Sequence, residues 1–405
     1  MKVVVEKSSP CGVIQAPPSK SMAHRYLICA GLAKGKSIIE NVAGSEDLLA
    51  TMDCLRSLGV KVLEMNDTVF VEGLGKKKKV NEATLFCRES GSTLRFFLPI
   101  CAALGISTTF KGTGRLLSRP MEVYRDCMRT QGLLYEEGED FIHIEGQLHP
   151  GIYEVRGDVS SQFISGLLFG LSLLEEDSLI RILPPVTSSS YIDLTIQALT
   201  ESGVEVKREK EEELLIKGNQ EFQSLNLKVE GDASNAAFYD ALNIFGFSVA
   251  VEGLKKDSMQ GDFVYKELFA NLKQGMPKIS LKNCPDLGPI LFALAAQLNG
   301  AVFTDTERLR IKESDRVSSM KKELEKMNAS IEVGEDFVKI EPSHLQKPNE
   351  SLDGHNDHRI VMALAILLVN YGGAIEGAEA VRKSMPDFFE QLRKLKIKIR
   401  TEEGL

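Results

Sequence analysis

Six times along the chain, a small or polar cluster carrying Ser, Gly or Asp runs straight into a short apolar stretch of helical length. The six are SKSMAHRYLICAGLA, ESGSTLRFFLPICAALG, GDVSSQFISGLLFGLSLL, GDASNAAFYDALNIFG, CPDLGPILFALAAQLNG and NDHRIVMALAILLVNYGG. With Ser19, Gly91, Ser160, Asp232, Asp286 and Asp357 as markers, subtraction gives spacings of 72, 69, 72, 54 and 71 residues. So regular a period implies one unit used six times, longer than the usual solenoid repeats. The filling between markers is also alike. A second amphipathic segment follows each first helix, then two short runs in which apolar and polar residues alternate. Examples are DLLATMDCLRSLG with VKVLEM and TVFVEG, and DRVSSMKKELEKMN with SIEVGED and FVKIEP. Helical segments ending near Gly or Asn and alternating strand runs give a strand-helix-strand-helix-strand-strand unit.

A unit of about 70 residues buries its apolar faces only against neighbours, so three units around shared helices make one domain and six make two. The expected division is 19–230 for the first three repeats, and 1–18 with 231–405 for the second three. The N-terminal strand MKVVVEKSS would complete the second domain's sheets. The lysine run 76–79 reads as a solvated turn between strands.

Composition narrows the class. The 405 residues are 43% hydrophobic and 26% charged, which describes a globular protein. A net charge of -8 argues against a general nucleic-acid or membrane-surface binder, so any bound anion must meet a local gathering of Lys and Arg. Seven cysteines without a CxxC pair read as reduced thiols, and the first twenty residues lack a signal pattern, so a cytoplasmic protein is expected. The most apolar run, Phe163 to Leu174, is too short to span a bilayer.

Chemistry gathers at the helix starts. Pro17 and Pro18 stiffen the approach to the first helix, Ser19 or Ser21 can cap it, and Lys20 and Arg25 stand in its first turns. Cations there are poorly placed unless an anion joins them, because helix N-termini attract negative charge. Gly91 lets a ligand approach the backbone at the second start, and GTGRLLSRPM then puts Arg115 and Arg119 in a Gly-rich loop. Ser160, Ser161 and Gln162, extended by Ser188 and Tyr191, offer neutral groups that can read a hydroxylated ligand. Later starts bring Asp286, then Arg308, Arg310, Lys312, Glu313 and Arg316, then Asn356-Asp357-His358-Arg359, and finally Lys383. Crowded like charges predict an open ligand-free state that closes on anions.

These residues resemble the 5-enolpyruvylshikimate-3-phosphate (EPSP) synthase family. The matching stretches are PPSKSMAHR, ESGSTLR, GTGRLLSRPM, GDVSSQF, SYID, VEGDASNAA, PDLGP, IKESDR, NDHR and KSMPDFFEQL, in the family's order from residue 17 to 392. The resemblance implies an α/β fold, a two-domain inverse α/β barrel of six βαβαββ repeats with the active-site cleft between the domains. It implies transfer of the enolpyruvyl group of phosphoenolpyruvate to the 5-hydroxyl of shikimate-3-phosphate, with release of phosphate. This reaction lies on the chorismate route to aromatic amino acids and is the target of glyphosate. Carried over by position, the shikimate-3-phosphate contacts are Lys20, Ser21, Arg25, Ser160, Ser161, Gln162, Ser188, Asp286 and Lys312. The phosphoenolpyruvate contacts are Lys20, Gly91, Arg115, Gln162, Arg316, Arg359 and Lys383. Two positions depart from the family's pattern: Glu89 stands where Asn is common, and Arg308 where some members have Asn.

The reaction needs a base at the 5-hydroxyl, for which Asp286 is the candidate, and proton traffic at C3 of phosphoenolpyruvate, for which Glu313 with Lys20 is the candidate. No metal or organic cofactor is expected, and the partners are the two small substrates, with no nucleic acid, no membrane and a monomeric chain. Three other readings compete. Transfer to a UDP-amino sugar is disfavoured because that sister family carries a Cys in the Gly-rich loop, where this chain reads GTGRLLSRP. A metal hydrolase built on His355, Asp357 and His358 is disfavoured because three ligands within four residues are crowded and no distant partner is evident. A non-catalytic phosphate or nucleic-acid binder is disfavoured by the acidic balance.

Overall fold

A computed structural model of the chain describes residues 1–75 and 79–402; of the lysine run 76–79, only Lys79 lies within the described residues, and it is exposed. The backbone divides into two compact units, Pro18–Glu230, here the first unit, and Met1–Pro17 with Gly231–Leu405, the second.

The first unit carries α1 (Lys20–Leu32), α2 (Glu46–Ser57), α3 (Gly91–Ala103), α4 (Glu122–Thr130), α5 (Ser161–Leu171) and α6 (Ser189–Glu201). Its three sheets share one plan. An opening strand pairs in parallel with the strand that follows the first helix, and a hairpin then adds two antiparallel strands. In the second repeat these are Glu82–Phe86, Ser107–Lys111, Phe141–Glu145 and Leu134–Glu137. The third repeat repeats the plan with Ile152–Arg156, Ser178–Leu183, Glu213–Ile216 and Val206–Lys210. The first repeat borrows its opening strand, Asn226–Lys228, from the far end of the unit, where it lies parallel to Lys36–Glu40.

The second unit carries α7 (Ala233–Ile244), α8 (Tyr265–Gln274), α9 (Gly288–Gln297), α10 (Arg316–Glu325), α11 (His358–Tyr371) and α12 (Phe388–Lys394). Its sixth repeat is closed by both chain ends, with Lys2–Val5 antiparallel to Gly373–Glu376 and to Ile399–Glu402. The fourth repeat departs from the plan. Its sheet has two strands, Cys11–Gln15 parallel to Ser248–Glu252, and no hairpin follows α8 among the described residues. The missing hairpin accounts for the short spacing of 54 residues between Asp232 and Asp286.

Helices α1, α3 and α5 bury most of their residues, as do α7, α9 and α11 in the second unit, so their sequences stay apolar beyond the polar residues of their first turns. The close approach of α3 and α5 depends on missing side chains. A Cβ on Gly166 would lie 2.2 Å from the Arg95 carbonyl, and one on Gly170 would lie 2.7 Å from that of Pro99. Pro99, inside α3, has no N–H for the carbonyl four residues earlier, that of Arg95. The buried Tyr124 hydroxyl fills the gap, 2.7 Å from Arg95 O and 2.9 Å from Phe163 O. It thereby fixes the first turn of α3, where Gly91 and Arg95 stand. All seven cysteines are free, five of them buried. No helix among the described residues is long and apolar enough to cross a membrane.

Candidate active site

In the first unit, serines cap α1, α3 and α5: Ser19, Ser90 and Ser160 accept from the N–H groups of Met22, Thr93 and Gln162. Lys20 is the first residue of α1, and its Nζ lies 2.6 Å from Asp47 Oδ2 in the first turn of α2. Arg25, one turn on, is 3% exposed. It donates to Ser21 O (2.7 Å), Thr195 Oγ1 (2.8 Å), Tyr191 O (2.9 Å) and Ser165 Oγ (3.5 Å), and stacks over Phe96. Every one of these acceptors is neutral. Burial of the guanidinium pushes its pKa down to about 10. Arg25 therefore ties α1 to α5 and α6, and brings Ser21, Tyr191 and the Ser188 cap of α6 to one place.

Gln162 does the same for α3 and α5. Its Oε1 accepts from Arg95 Nη1 at 2.8 Å, and its Nε2 donates to Ser92 Oγ at 2.9 Å. A Cβ on Gly91 would lie 2.6 Å from Arg119 Nη1 and 3.5 Å from Gln162 Oε1. Arg119, not Arg115, is therefore the loop arginine held against Gly91. Arg115 caps the short turn Leu116–Ser118 and is exposed, whereas Arg119, extended ahead of Pro120, is half-buried. His24 is a residue that sequence reading passed over. Its Nδ1 lies 2.8 Å from Thr51 Oγ1, which lies 2.8 Å from Thr93 Oγ1, so α1, α2 and α3 are stitched together beneath Lys20. Burial, then the charges of Lys20 and Arg25, hold the imidazole well below its usual pKa, and it is neutral.

In the second unit two of the three buried helices start with acidic caps. Asp232 caps α7 and Asp357 caps α11, while Asp286 sits in the turn Pro285–Leu287 ahead of α9. Arg316, 1% exposed, meets three carboxylates: Asp357 (Nε, 2.8 Å), Asp286 (Nη1, 2.9 Å) and Glu313 (Nη2, 2.8 Å). Burial works against that charge, but Asp357, Glu313 and Asp286 outweigh it and raise the guanidinium pKa. Arg359 Nη2 donates to Ser234 Oγ at 2.8 Å and lies 3.5 Å from Asp286 Oδ2; Lys312 Nζ lies 3.6 Å from Asp286 Oδ1. Burial would raise the Asp286 carboxyl, but Lys312, Arg359 and Arg316 together hold it well below the usual carboxylate range. Lys312 is also lowered: burial, with the charges of Arg316 and Arg308, outweighs the pull of Asp286 and brings it down to about 8. Lys383, nearly buried, donates to Asn356 O at 2.6 Å. The structure thus gathers Asp286, Lys312, Glu313, Arg316 and Arg359 into one network. Its three cations alternate with Asp286, Glu313 and Asp357, and Arg308 adds a further positive charge that Lys312 feels.

Among the described residues, no group of three His, Cys, Asp or Glu is placed to hold a metal ion. His355 instead pairs with Glu323, and Asp357 with Arg316.

The family profile described as EPSP synthase (3-phosphoshikimate 1-carboxyvinyltransferase) matches residues 6–392. The chain belongs to the EPSP synthase family. It is 40% identical over 410 residues to the 3-phosphoshikimate 1-carboxyvinyltransferase of Clostridium kluyveri, with 95% of each chain covered. Its identity to the Clostridium perfringens enzyme of the same name is 38%, covering 99% of this chain and 100% of that one. Among solved structures, EPSP synthase from Acinetobacter baumannii superposes with a TM-score of 0.77 at 22% identity, over 99% of this chain and 100% of that one. The enolpyruvyl transferase NikO from Streptomyces tendae gives 0.79 at 13% identity, over 98% of each. Those two likenesses establish the enolpyruvyl transferase fold. Arg119, Asp47 and Asp357 stand against the candidate residues, and none of the three was assigned to a substrate from the sequence. Their signals were present: Pro120 fixes Arg119 as extended, the Ser45 cap puts Asp47 in a first turn, and Asp357 precedes an apolar run.

Proposed function

We propose that this chain transfers the enolpyruvyl group of phosphoenolpyruvate to the 5-hydroxyl of shikimate-3-phosphate, giving 5-enolpyruvylshikimate-3-phosphate and phosphate. The observation that carries the reading is the set of buried cations at helix N-termini, found in a chain that matches the family over residues 6–392. Helix N-termini and charge-assisted hydrogen bonds both favour anions, and both substrates are polyanions. In this reading Lys20, Ser21, Arg25, Ser160, Ser161, Gln162 and Ser188 hold shikimate-3-phosphate together with Asp286 and Lys312. Lys20, Gly91, Gln162, Arg316, Arg359 and Lys383 hold phosphoenolpyruvate, with Arg119 in the place first given to Arg115.

The chemistry is addition followed by elimination. The 5-hydroxyl gives its proton to the Asp286 carboxylate as its oxygen bonds to C2 of phosphoenolpyruvate, and C3 takes a proton. Loss of that methyl proton and of phosphate from C2 then restores the double bond. Asp286, held below the usual range by three cations, is a weak base while they are free to pair with it. When substrate anions engage Lys312 and Arg359, that stabilisation is shared and the carboxylate becomes more basic. Basicity thus arises when the substrates bind. Glu313, which accepts from Arg316, and Lys20 pass the proton at C3. The cations orient both substrates and take up charge on the departing phosphate. The reading includes a monomeric, cytoplasmic enzyme without nucleic-acid or membrane partners.

The test is phosphate release with both substrates against each alone. Release that needs both supports the reading. Release only when a UDP-amino sugar replaces shikimate-3-phosphate moves the chain to the other acceptor, and silence with either acceptor removes the proposed activity.

A further inference from the structure

The segment Asp353–Asp357 joins the strand Leu352–Asp353 to α11, and α10 grips it at both ends. Arg316 and Glu323 lie seven residues apart on α10, two turns along one face. Arg316 Nε holds Asp357 at 2.8 Å. Glu323, fully buried, accepts from the Asp353 N–H at 2.9 Å through Oε2, and its Oε1 lies 2.9 Å from His355 Nε2. Lys326 Nζ is 2.9 Å from the same carboxylate. Between the two grips, His355 (φ 49°) and Asn356 (φ 52°) are consecutive left-handed residues, and neither is glycine. Side chains persist in that region only when their surroundings over-determine the turn. The turn presents the Asn356 carbonyl to Lys383 Nζ at 2.6 Å. Burial would raise the Glu323 carboxyl, but hydrogen bonds from His355, Lys326 and the Asp353 N–H hold it below the usual range, so it stays ionised.

We infer that Glu323 and His355 form a latch that holds the left-handed turn and so sets the Lys383 ammonium through the Asn356 carbonyl. Glu323 is then a positioning residue for the binding of phosphoenolpyruvate. The kinetic consequence rests on the reading of Lys383 given above; the structural one does not. Neither latch residue belongs to the sets assigned to substrate.

The experiment has two readouts on the same variants, Glu323→Gln, His355→Ala and His355→Gln. The first is acetylation of Lys383 by acetic anhydride, followed by peptide mass spectrometry, which requires no turnover. Glu323→Gln and His355→Ala should label Lys383 several-fold faster than the unmodified protein, and His355→Gln, which keeps an N–H donor, should stay near it. Unchanged labelling in the first two overturns the latch. The second is steady-state kinetics. Glu323→Gln should raise the KM for phosphoenolpyruvate roughly tenfold, the size of one weakened charge-assisted contact, with kcat and the KM for shikimate-3-phosphate within about twofold. In a Lys383→Met background the same substitution should change nothing further, because its effect runs through that amine. An equal loss in that background, or a loss spread over kcat and both KM values, marks a general structural role and overturns the proposal. Should Glu323→Gln fail to fold, the two His355 variants carry both readouts. An unmodified protein inactive with both substrates would sink the proposed function alone, since labelling still decides the latch.

Discussion

The cap of the buried helix is serine in all three repeats of one half of the molecule and aspartate in two of the three in the other, where the fifth repeat has Leu287. In the first unit Ser19, Ser90 and Ser160 cap the buried helices, and the buried Arg25 rests on neutral acceptors. In the second unit Asp232 and Asp357 are the caps, and Arg316 is enclosed by Asp357, Asp286 and Glu313. A neutral cap satisfies the first-turn N–H groups and leaves the positive helix end unbalanced, which suits an anion site. An acidic cap cancels that end and fixes a cation. The first half thus leaves its buried arginine on neutral groups beside uncancelled helix ends, and the second encloses its buried arginine with carboxylates. Lys20, paired with Asp47, is the exception within the first half.

The sharpest way to break this contrast is to remove the two buried arginines in turn. Arg316→Met takes the guanidinium from Asp357 and Glu313 and leaves Asp286 to Lys312 and Arg359, and urea unfolding should show a loss of about 3–5 kcal/mol, as for a broken buried ion pair. Arg25→Met leaves only neutral acceptors, most of which find other partners, and should lose about 1–3 kcal/mol. Equal losses would erase the distinction.

The next effect is on pH dependence. Lys312, brought down to about 8 by burial and neighbouring cations, loses its charge above that pH. Apparent affinity for shikimate-3-phosphate should therefore fall as pH rises past about 8, and Lys312→Arg should move that limb upward. For stability the sign is opposite. Below pH 8 the folded protein bears the cost of a partly buried ammonium beside other cations, and it is relieved between 8 and the unfolded value. The Asp286 carboxyl, held low, contributes stability at neutral pH that is lost only as pH falls below the usual carboxylate range.

The smallest effect is expected at Gly91. Its Cβ would lie 2.6 Å from Arg119 Nη1, the mobile end of a long side chain. Gly91→Ala should leave stability nearly unchanged and raise the KM for phosphoenolpyruvate by roughly tenfold or less, through displacement of one cation. An unchanged KM would remove Arg119 from the site.

Much of this was legible in the sequence because the fold repeats. The spacing of the markers gives the unit, and its one irregular value, 54, marks the repeat that lacks its hairpin. The cap residues were visible as Ser or Asp ahead of apolar runs. What periodicity does not carry is the partner of each charge. Arg316 reads as one cation among several in RLRIKESDR, and only the fold brings Asp357 from 41 residues away to its Nε. Arg115 and Arg119 stand in one loop, and only Pro120, which holds Arg119 extended, marks in the sequence which of them meets Gly91. Glu323 reads as a surface residue of an amphipathic helix, but the 352–357 turn covers it.

The roles proposed for Arg25 in binding and Asp286 in proton transfer are tested most directly by steady-state kinetics on Arg25→Met and Asp286→Asn side by side. Arg25→Met should raise the KM for shikimate-3-phosphate at least about tenfold with kcat changed only a few-fold. Asp286→Asn should lower kcat by about a hundredfold or more, with KM unchanged or lower, since it removes a negative charge from the second half. A reversed pattern, or near-normal kcat in Asp286→Asn, would contradict the account.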